Sequence, residues 1–150
     1  MKILLDTNIV LELILQREQI DVTRSLMQSL LENKHELYIT SGGFYSMLYI
    51  TDNYLKKVMM QKNPERTNTV RSIMKHVLKR FTVCEHDNES LLRGIDDLKY
   101  QDLEDSCQYQ AAVRSHCDML ITFNINDFPV TAIHSVKVLT PQDFIDQSQS

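Results

Sequence analysis

The feature that most constrains the fold of this chain is the alternation of short apolar runs with longer segments of helical period. Four runs of four or five residues are typical of strands buried on both faces: residues 2–5, 36–40, 81–84 and 119–122. A fifth strand is predicted within residues 134–139, where Val136 and Val138 alternate with other residues. Strands that alternate with helices predict a three-layer α/β/α sandwich with a mainly parallel central sheet of four to five strands.

The chain length and its punctuation predict a single domain. One hundred and fifty residues fit one hydrophobic core, and the sequence contains neither an internal repeat nor an interdomain linker. Thr140 followed by Pro141 predicts the start of a last helix, because Thr is a good N-cap and Pro is favoured at the first helical position. We therefore expect residues 1–146 to form the domain and residues 147–150 to be a frayed polar tail.

Composition and cysteine usage exclude several classes of protein. Hydrophobic residues make up 43% of the chain, which excludes a disordered protein. The apolar runs are too short to span a bilayer, and the first residues lack the apolar stretch of a signal peptide. The three cysteines are odd in number and widely spaced, which favours a reducing compartment over a disulfide framework or a zinc site. We expect a cytoplasmic protein that makes no membrane contact.

The charge of the chain is distributed unevenly. The net charge of −4 excludes a uniformly basic nucleic-acid-binding protein. Residues 56–80, however, carry eight basic residues against one acid. Within them Arg71, Lys75 and Lys79 recur every four residues, which predicts a basic ridge along one helix face that binds RNA phosphates. The alternative is an ordinary solvated helix face.

Polar residues follow the predicted strands at the point where each strand ends. In an open parallel sheet the ligand-binding crevice lies outside the carboxyl ends of the strands. Asp105 lies in the first turn of the helix that leads into the fourth strand, and Asp102 precedes it by about one turn. The candidate site residues expected at this edge are Asp6, Thr7, Asn8, Asp102, Asp105, Thr122, Asn124 and Asp127.

A cluster of carboxylates predicts a divalent cation. Like charges repel one another, so a fold that gathers acids neutralises them, and a set of oxygen donors favours Mg²⁺ or Mn²⁺. Such an ion supports phosphodiester hydrolysis. Helix capping explains Asp102 and Asp105 equally well, and a polar turn explains Asn124 and Asp127. Asp6 is harder to explain structurally, because an acid at the end of a buried strand is costly unless something compensates its charge.

Three segments together make the chain similar to PIN-domain proteins, a family that contains the toxin ribonucleases of bacterial toxin–antitoxin operons. The segments are residues 4–8, the helix that carries Asp105 with Ala111 and Ala112, and residues 120–128. The resemblance covers nearly the whole chain. It implies a Rossmann-like sandwich and a Mg²⁺- or Mn²⁺-dependent endoribonuclease.

The resemblance also assigns roles to individual residues. Asp6 and Asp105 match the family's metal-binding acids. Thr7 and Asn8 match the small polar residues that organise the site, and Thr122 matches the Thr at the end of the fourth strand.

The chain departs from the family pattern at two acids. A Glu that the family carries in the helix after the second strand falls on Met47 here, and Asp52 is a poor substitute because it lies about 140° further around the helix. The family's last acid falls on Asn124, with Asp127 three residues beyond. Two fewer negative charges predict a more weakly held ion.

The favoured function is an endoribonuclease toxin in which Asp6 and Asp105 hold the metal and Asp102, Asn124 and Asp127 assist. Its expected partners are RNA, an antitoxin protein and, by the habit of the family, a second copy of the chain in a two-fold dimer. The alternative is a catalytically weakened PIN-like module that binds RNA or protein. A phosphoacceptor domain modified at Asp6 is disfavoured, because that chemistry requires a Lys beyond a later strand and Thr122 is followed by Phe123.

Overall fold

The computed structural model describes residues 1–129 and 136–150, which form a parallel five-stranded sheet. The order of the strands is β3-β2-β1-β4-β5, and all four neighbouring pairs are parallel. This confirms the predicted fold. The strands within the described residues are β1 Lys2–Leu5, β2 Glu36–Thr40, β3 Thr82–Cys84, β4 Met119–Ile121 and β5 Lys137–Leu139.

The sheet is covered by helices on both faces, because the side chains of each strand alternate between two cores. In β1, Ile3 and Leu5 pack into one hydrophobic cluster, whereas Leu4 packs into a second. The first cluster includes residues of α1 to α4 and α7, and the second includes Ala111 and Ala112 of α6. The helices of the described residues are α1 Thr7–Leu15, α2 Ile20–Glu32, α3 Ser41–Lys57, α4 Glu65–Arg80, α5 Asn88–Asp96, α6 Leu103–Arg114 and α7 Pro141–Ser148.

The ends of two predicted elements differ in the structure. The last helix begins as predicted, with the Thr140 hydroxyl accepting a hydrogen bond from the Asp143 backbone N–H. It then continues through Ser148, so the first two residues of the expected tail are helical. The fifth strand is described only from Lys137, and the start of its predicted range, residues 134 and 135, lies outside the described residues.

No helix of the described residues combines the length and the apolar composition needed to cross a membrane.

The topology fixes where a site is to be expected. From β1 the chain moves outward to β2 and β3 on one side, and then returns to place β4 and β5 on the other side. The order therefore reverses between β1 and β4, and the crevice at such a switch point is the usual ligand site of open α/β sheets. The residues that follow β1 and β4 are Asp6 and Thr122.

Candidate active site

Asp6 is a buried carboxylate that is held by two neutral donors. It is only 5% exposed and stands at the N-cap position of α1, yet its side chain makes no capping hydrogen bond. Instead, Oδ2 accepts a hydrogen bond from the Thr122 hydroxyl at 2.7 Å, and Oδ1 accepts one from Gln108 Nε2 at 3.3 Å. The backbone N–H of Asp6 donates to the carbonyl of Ile121 at 3.0 Å. The carboxylate is therefore fixed in orientation, but no cation of the protein neutralises it through these bonds.

Thr122 links the end of β4 to both sides of the crevice. Its side chain is fully buried, and its hydroxyl, which donates to Asp6, also accepts a hydrogen bond from the Asn124 backbone N–H at 3.1 Å. Asn124 itself is exposed at the start of a short 3₁₀ turn, Ile125–Asp127. The hydroxyl of Thr122 thus connects the Asp6 carboxylate to the beginning of this turn through two hydrogen bonds.

Asp105 has the electrostatics of a crowded acidic site. Burial and the negative charges of Asp102, Asp6, Asp127 and, least, Glu104 raise the pKa of Asp105 from 3.8 to about 7. The charges of three other predicted site acids, Asp6, Asp102 and Asp127, therefore act on Asp105. A divalent cation beside Asp105 would stabilise the charged carboxylate and so lower the pKa that burial and the neighbouring acids raise.

Asp102 and Asp127 stand at the edge of this cluster and are exposed. Asp102 is the N-cap of α6, and its Oδ1 accepts hydrogen bonds from the backbone N–H groups of Glu104 and Asp105 at 2.9 and 3.2 Å. This is the capping role that the sequence left open, and both of its hydrogen bonds go to the same carboxylate oxygen. Beside the two acids lies a cleft of about 210 Å³, also lined by Lys99 and Gln101.

Thr7 and position 47 both lie near Gly43, where α1 meets the start of α3. A Cβ at Gly43 would stand 2.6 Å from Thr7 Oγ1 and 3.8 Å from Met47 Cε, so the glycine lets α3 approach Thr7 closely. Met47 is fully buried in the first core cluster. Position 47 therefore adjoins Thr7, but a methionine fills it. Asn8 is exposed. Asp52 does not replace the missing acid at position 47, because its carboxylate forms an ion pair with Arg66.

The predicted basic ridge lies on the exposed face of α4. Arg71, Lys75 and Lys79 are exposed, and Arg71 donates a hydrogen bond to Asn68 of its own helix. Among the described residues, none of the three joins an ion pair. None of them is among the charges that shift the pKa of Asp105. The positive charges of the ridge are thus not neutralised by ion pairs with described residues, and they do not affect the pKa of Asp105.

Two residues of this region escaped the sequence analysis. Gln108 lies three residues after Asp105 and contacts Asp6, a spacing that could have placed it on the Asp105 face of the helix. Tyr100 packs edge-on against Phe128, and its buried hydroxyl has no hydrogen-bond partner among the residues described. Burial, Tyr109, Asp97 and Asp105 raise the pKa of Tyr100, which keeps the hydroxyl neutral.

The donor set fits a weakly held hard cation rather than a closed metal cage. No group of three or more His, Cys, Asp or Glu side chains in the described parts of the chain is arranged to hold one ion. Mg²⁺ does not require such a group, because it is commonly bound through one or two carboxylates and keeps several waters. An additional neutral oxygen is at hand, since Gln108 Oε1 is buried without a partner. This set of oxygen donors is of the kind that Mg²⁺ or Mn²⁺ prefers.

Comparison with known proteins gives one family and one fold. A sequence profile of the PIN domain matches residues 2–126. Among solved structures, the fold is similar to that of a chain in the crystal structure of VapBC2 from Rickettsia felis bound to a DNA fragment from their promoter. The TM-score is 0.64 at 17% sequence identity, over 93% of this chain and 98% of that chain, so this likeness concerns the fold alone. No protein of curated function matches the sequence.

Proposed function

Because this chain belongs to the PIN-domain family, we propose that it is a Mg²⁺- or Mn²⁺-dependent endoribonuclease and that it acts in the cytoplasm as the toxin of a toxin–antitoxin pair. The observation that carries the proposal is the crowding at Asp105, whose pKa is raised to about 7 by burial and by neighbouring acids. Repulsion among these carboxylates costs stability, whereas a cation site requires carboxylates that lie close together.

Each side chain at the switch point has a definable task. Asp6 and Asp105 would hold the divalent cation, which when bound supplies a more acidic water and positive charge beside the scissile phosphate. Thr122 and Gln108 orient Asp6 through its two oxygens. Asn124 and Asp127 stand on the turn beyond β4, and Asp127 adds negative charge near Asp105.

The absence of an acid at position 47 should lower the affinity of this site for the cation. Met47 contributes no charge, and Asn124 contributes a neutral amide where an acid would attract the cation. Fewer charges mean lower affinity and a larger share of water among the ligands. We therefore propose that the enzyme needs millimolar Mg²⁺ or prefers Mn²⁺, which binds N and O ligands more tightly.

Metal-dependent cleavage of RNA tests the proposal. Purified chain is incubated with a mixed RNA pool in EDTA, in Mg²⁺ and in Mn²⁺, and products are separated by size. We expect cleavage only with a divalent cation, and its loss in Asp105→Asn. Asp21→Asn is the matched control, because Asp21 is an exposed acid on α2 that is not among the charges acting on Asp105. Cleavage that survives EDTA or persists in Asp105→Asn would refute the assignment.

The basic ridge is the proposed contact with RNA phosphates. Replacing Lys75 and Lys79 by Gln should weaken RNA binding uniformly across sequences and reduce the slope of log affinity against log salt by about one for each lysine that contacts a phosphate. The measurement is fluorescence anisotropy with a labelled RNA at several salt concentrations. Lys34→Gln, which removes an exposed lysine away from α4, is the control. An unchanged salt slope in the double variant would contradict the contact.

The second candidate is a PIN-like module that binds RNA or protein without turnover. Met47 favours it, since its fully buried side chain occupies the position of a missing acid. This candidate predicts salt-sensitive RNA binding with neither Mn²⁺ binding nor cleavage. Calorimetric titration of the chain with Mn²⁺ separates the two candidates before any substrate is known.

We propose that an antitoxin docks in the apolar groove between α1, α2 and α4. The groove has a volume of about 560 Å³, and its lining is mainly apolar with His76 and Arg80 among the polar residues. These features suit a segment with one apolar face and acidic residues beside it. Leu31→Glu alters an exposed residue of the groove, and Leu98→Glu alters an exposed residue outside it.

The test is copurification with any small protein whose gene lies beside the gene of this chain. We expect Leu31→Glu to weaken the complex about tenfold or more, in the range of a hot-spot substitution, while Leu98→Glu leaves it unchanged. Equal affinity of both variants for the partner would contradict docking in the groove.

A two-fold homodimer is the remaining partner proposal, and it follows from the family alone. Sedimentation equilibrium at micromolar concentration tests it directly. A single species with the mass of one chain, 17.5 kDa, would contradict it.

A further inference from the structure

Gln108 is a buried amide of which only the nitrogen makes a hydrogen bond within the described part of the chain. Its side chain is 7% exposed on the face of α6 that meets the end of β1. Nε2 donates to Asp6 Oδ1 at 3.3 Å, across 102 positions of the sequence. Oε1 of the same amide is shielded from solvent and accepts no hydrogen bond from any described residue. Buried acceptors without a partner are rare, so this oxygen requires an explanation.

The orientation of the amide follows from its neighbour. If the amide were reversed, its oxygen would face the carboxylate of Asp6, and two acceptors would oppose each other. The nitrogen must therefore face Asp6, and the oxygen remains the unpartnered end. A group that meets this oxygen has to be a hydrogen-bond donor or a cation.

Asp6 and Gln108 form a unit with Thr122. The hydroxyl of Thr122 holds one carboxylate oxygen of Asp6 and the amide of Gln108 holds the other. Both donors are neutral, so they orient the carboxylate while leaving its charge uncompensated. That combination suits an acid whose counter-charge comes from a bound ion, since groups that orient metal ligands are typically donors to the ligand.

We propose that Gln108 is a positioning residue of the cation site: its Nε2 holds the Asp6 carboxylate in place, and its Oε1 offers a neutral oxygen to the divalent cation or to the ion's hydration shell. The inference rests on the proposed function. It assigns a task to a residue outside the acids of the site, and it explains why a buried oxygen has no hydrogen-bond partner among the residues that the structure describes.

The experiment compares Mn²⁺ affinity without RNA, by calorimetry at pH 7.5, in the unmodified chain, in Asp6→Asn and in three glutamine variants. Gln108→Met keeps the length of the side chain but removes both polar atoms. Gln110→Met is the matched control, because Gln110 is 4% exposed on the same helix and accepts a hydrogen bond from Arg93 rather than contacting Asp6. Gln108→Glu keeps an oxygen and replaces the donor by a second acid beside Asp6.

We expect Gln108→Met to weaken Mn²⁺ binding by about tenfold, the lower end of the range for residues that support metal ligands. Gln110→Met should bind Mn²⁺ like the unmodified chain. Gln108→Glu should have a lower thermal midpoint in EDTA, since two carboxylates then face each other, and Mn²⁺ should raise this midpoint more than it raises that of Gln108→Met. If Gln108→Met does not fold, Gln108→Asn, which withdraws the amide by one methylene, takes its place with the same expected loss.

The outcomes separate this inference from the proposed function. If the unmodified chain binds no Mn²⁺, the metal-dependent function and the role of Gln108 both fail. If the unmodified chain binds Mn²⁺, Asp6→Asn abolishes binding and Gln108→Met leaves it unchanged, then Gln108 only packs against Asp6 and this inference alone is overturned. Equal weakening in Gln108→Met and Gln110→Met would assign the effect to general loosening of α6 and would also overturn it.

Discussion

The starts of α1 and α6 place the same residue type in the same position and use it in opposite ways. Asp102 is the exposed N-cap of α6, and its carboxylate accepts hydrogen bonds from two backbone N–H groups of the first turn. Asp6 is the N-cap of α1, but its buried carboxylate accepts from Thr122 and Gln108 and caps nothing. An aspartate before a helix is thus a structural cap in one case and a member of a polar site in the other.

The difference between the two helix starts comes from the sheet. α1 begins directly at the end of a central strand, where β4 and α6 bring their own polar groups against the carboxylate. α6 begins in a loop at the surface, where the Asp102 side chain accepts its hydrogen bonds from the backbone of the first turn. Both aspartates therefore place a negative charge at the positive end of a helix dipole. Only the buried one, Asp6, also contacts polar groups of other elements.

The largest expected effect comes from exchanging each of these acids for its amide. Asp6→Asn should reduce RNA cleavage about 100-fold or more, because the loss of a metal ligand exceeds the loss of a group that supports one. Asp102→Asn should stay within about threefold of the unmodified chain, since Asn caps helices as well as Asp. Initial rates in Mn²⁺ at pH 7.5 measure both. Equal losses of cleavage rate in Asp6→Asn and Asp102→Asn would contradict the different roles assigned to the two aspartates.

A carboxylate at position 47 tests whether an acid can serve the cation without standing at a helix start. Position 47 lies inside α3, near Gly43 and Thr7. Met47→Glu buries an acid in a core position and should lower the thermal midpoint in EDTA. With Mn²⁺ we expect binding about tenfold tighter than in the unmodified chain, as an added charged ligand raises affinity for the ion. Leu48→Glu, which adds the same charge at the exposed neighbouring position, should leave Mn²⁺ affinity unchanged.

A smaller effect concerns the pH dependence of stability without metal. Burial, followed by neighbouring acids, raises the pKa of Asp105 to about 7, so the folded chain holds a proton that the unfolded chain, with a pKa near 3.8, has released. The stability contributed by this protonated carboxyl is complete below about pH 4 and is lost as the pH rises through 7. In EDTA, the thermal midpoint of Asp105→Asn should therefore change less between pH 5 and pH 8 than that of the unmodified chain.

Thermal melts in EDTA at four pH values check this expectation. Asp105→Asn should be the more stable protein at pH 8, by about 2–4 °C for each kcal/mol of relieved repulsion in a chain of this size. Asp102→Asn serves as the control, since the Asp105 carboxyl remains in it and the slope should persist, with a smaller fall because one neighbouring charge is gone. The same slope in Asp105→Asn and the unmodified chain would contradict the crowding at Asp105.

The sequence predicted the parts of this site that depend on local pattern. Asp6 and Thr122 end apolar runs, and Asp105 follows a helix start, so the rule for parallel sheets was enough to gather them at one edge. Gln108 was missed because its partner lies 102 positions away, and a glutamine on a helix reads as a surface residue until that partner is known. The role of Asp102 also depended on a contact, since the choice between capping and metal binding is made by where its oxygens point.

Removing the cap at Asp102 altogether gives the smallest expected effect and completes the comparison. Asp102→Ala leaves the N–H groups of Glu104 and Asp105 without their acceptor, and loss of an N-cap costs about 1 kcal/mol of unfolding free energy. Asp102→Asn should recover most of this loss, because its side-chain oxygen still accepts. Urea unfolding in EDTA measures the difference. If Asp102 instead served the cation, Asn would fail to restore Mn²⁺ affinity even where it restored stability, and α6 would then begin with a site residue as α1 does.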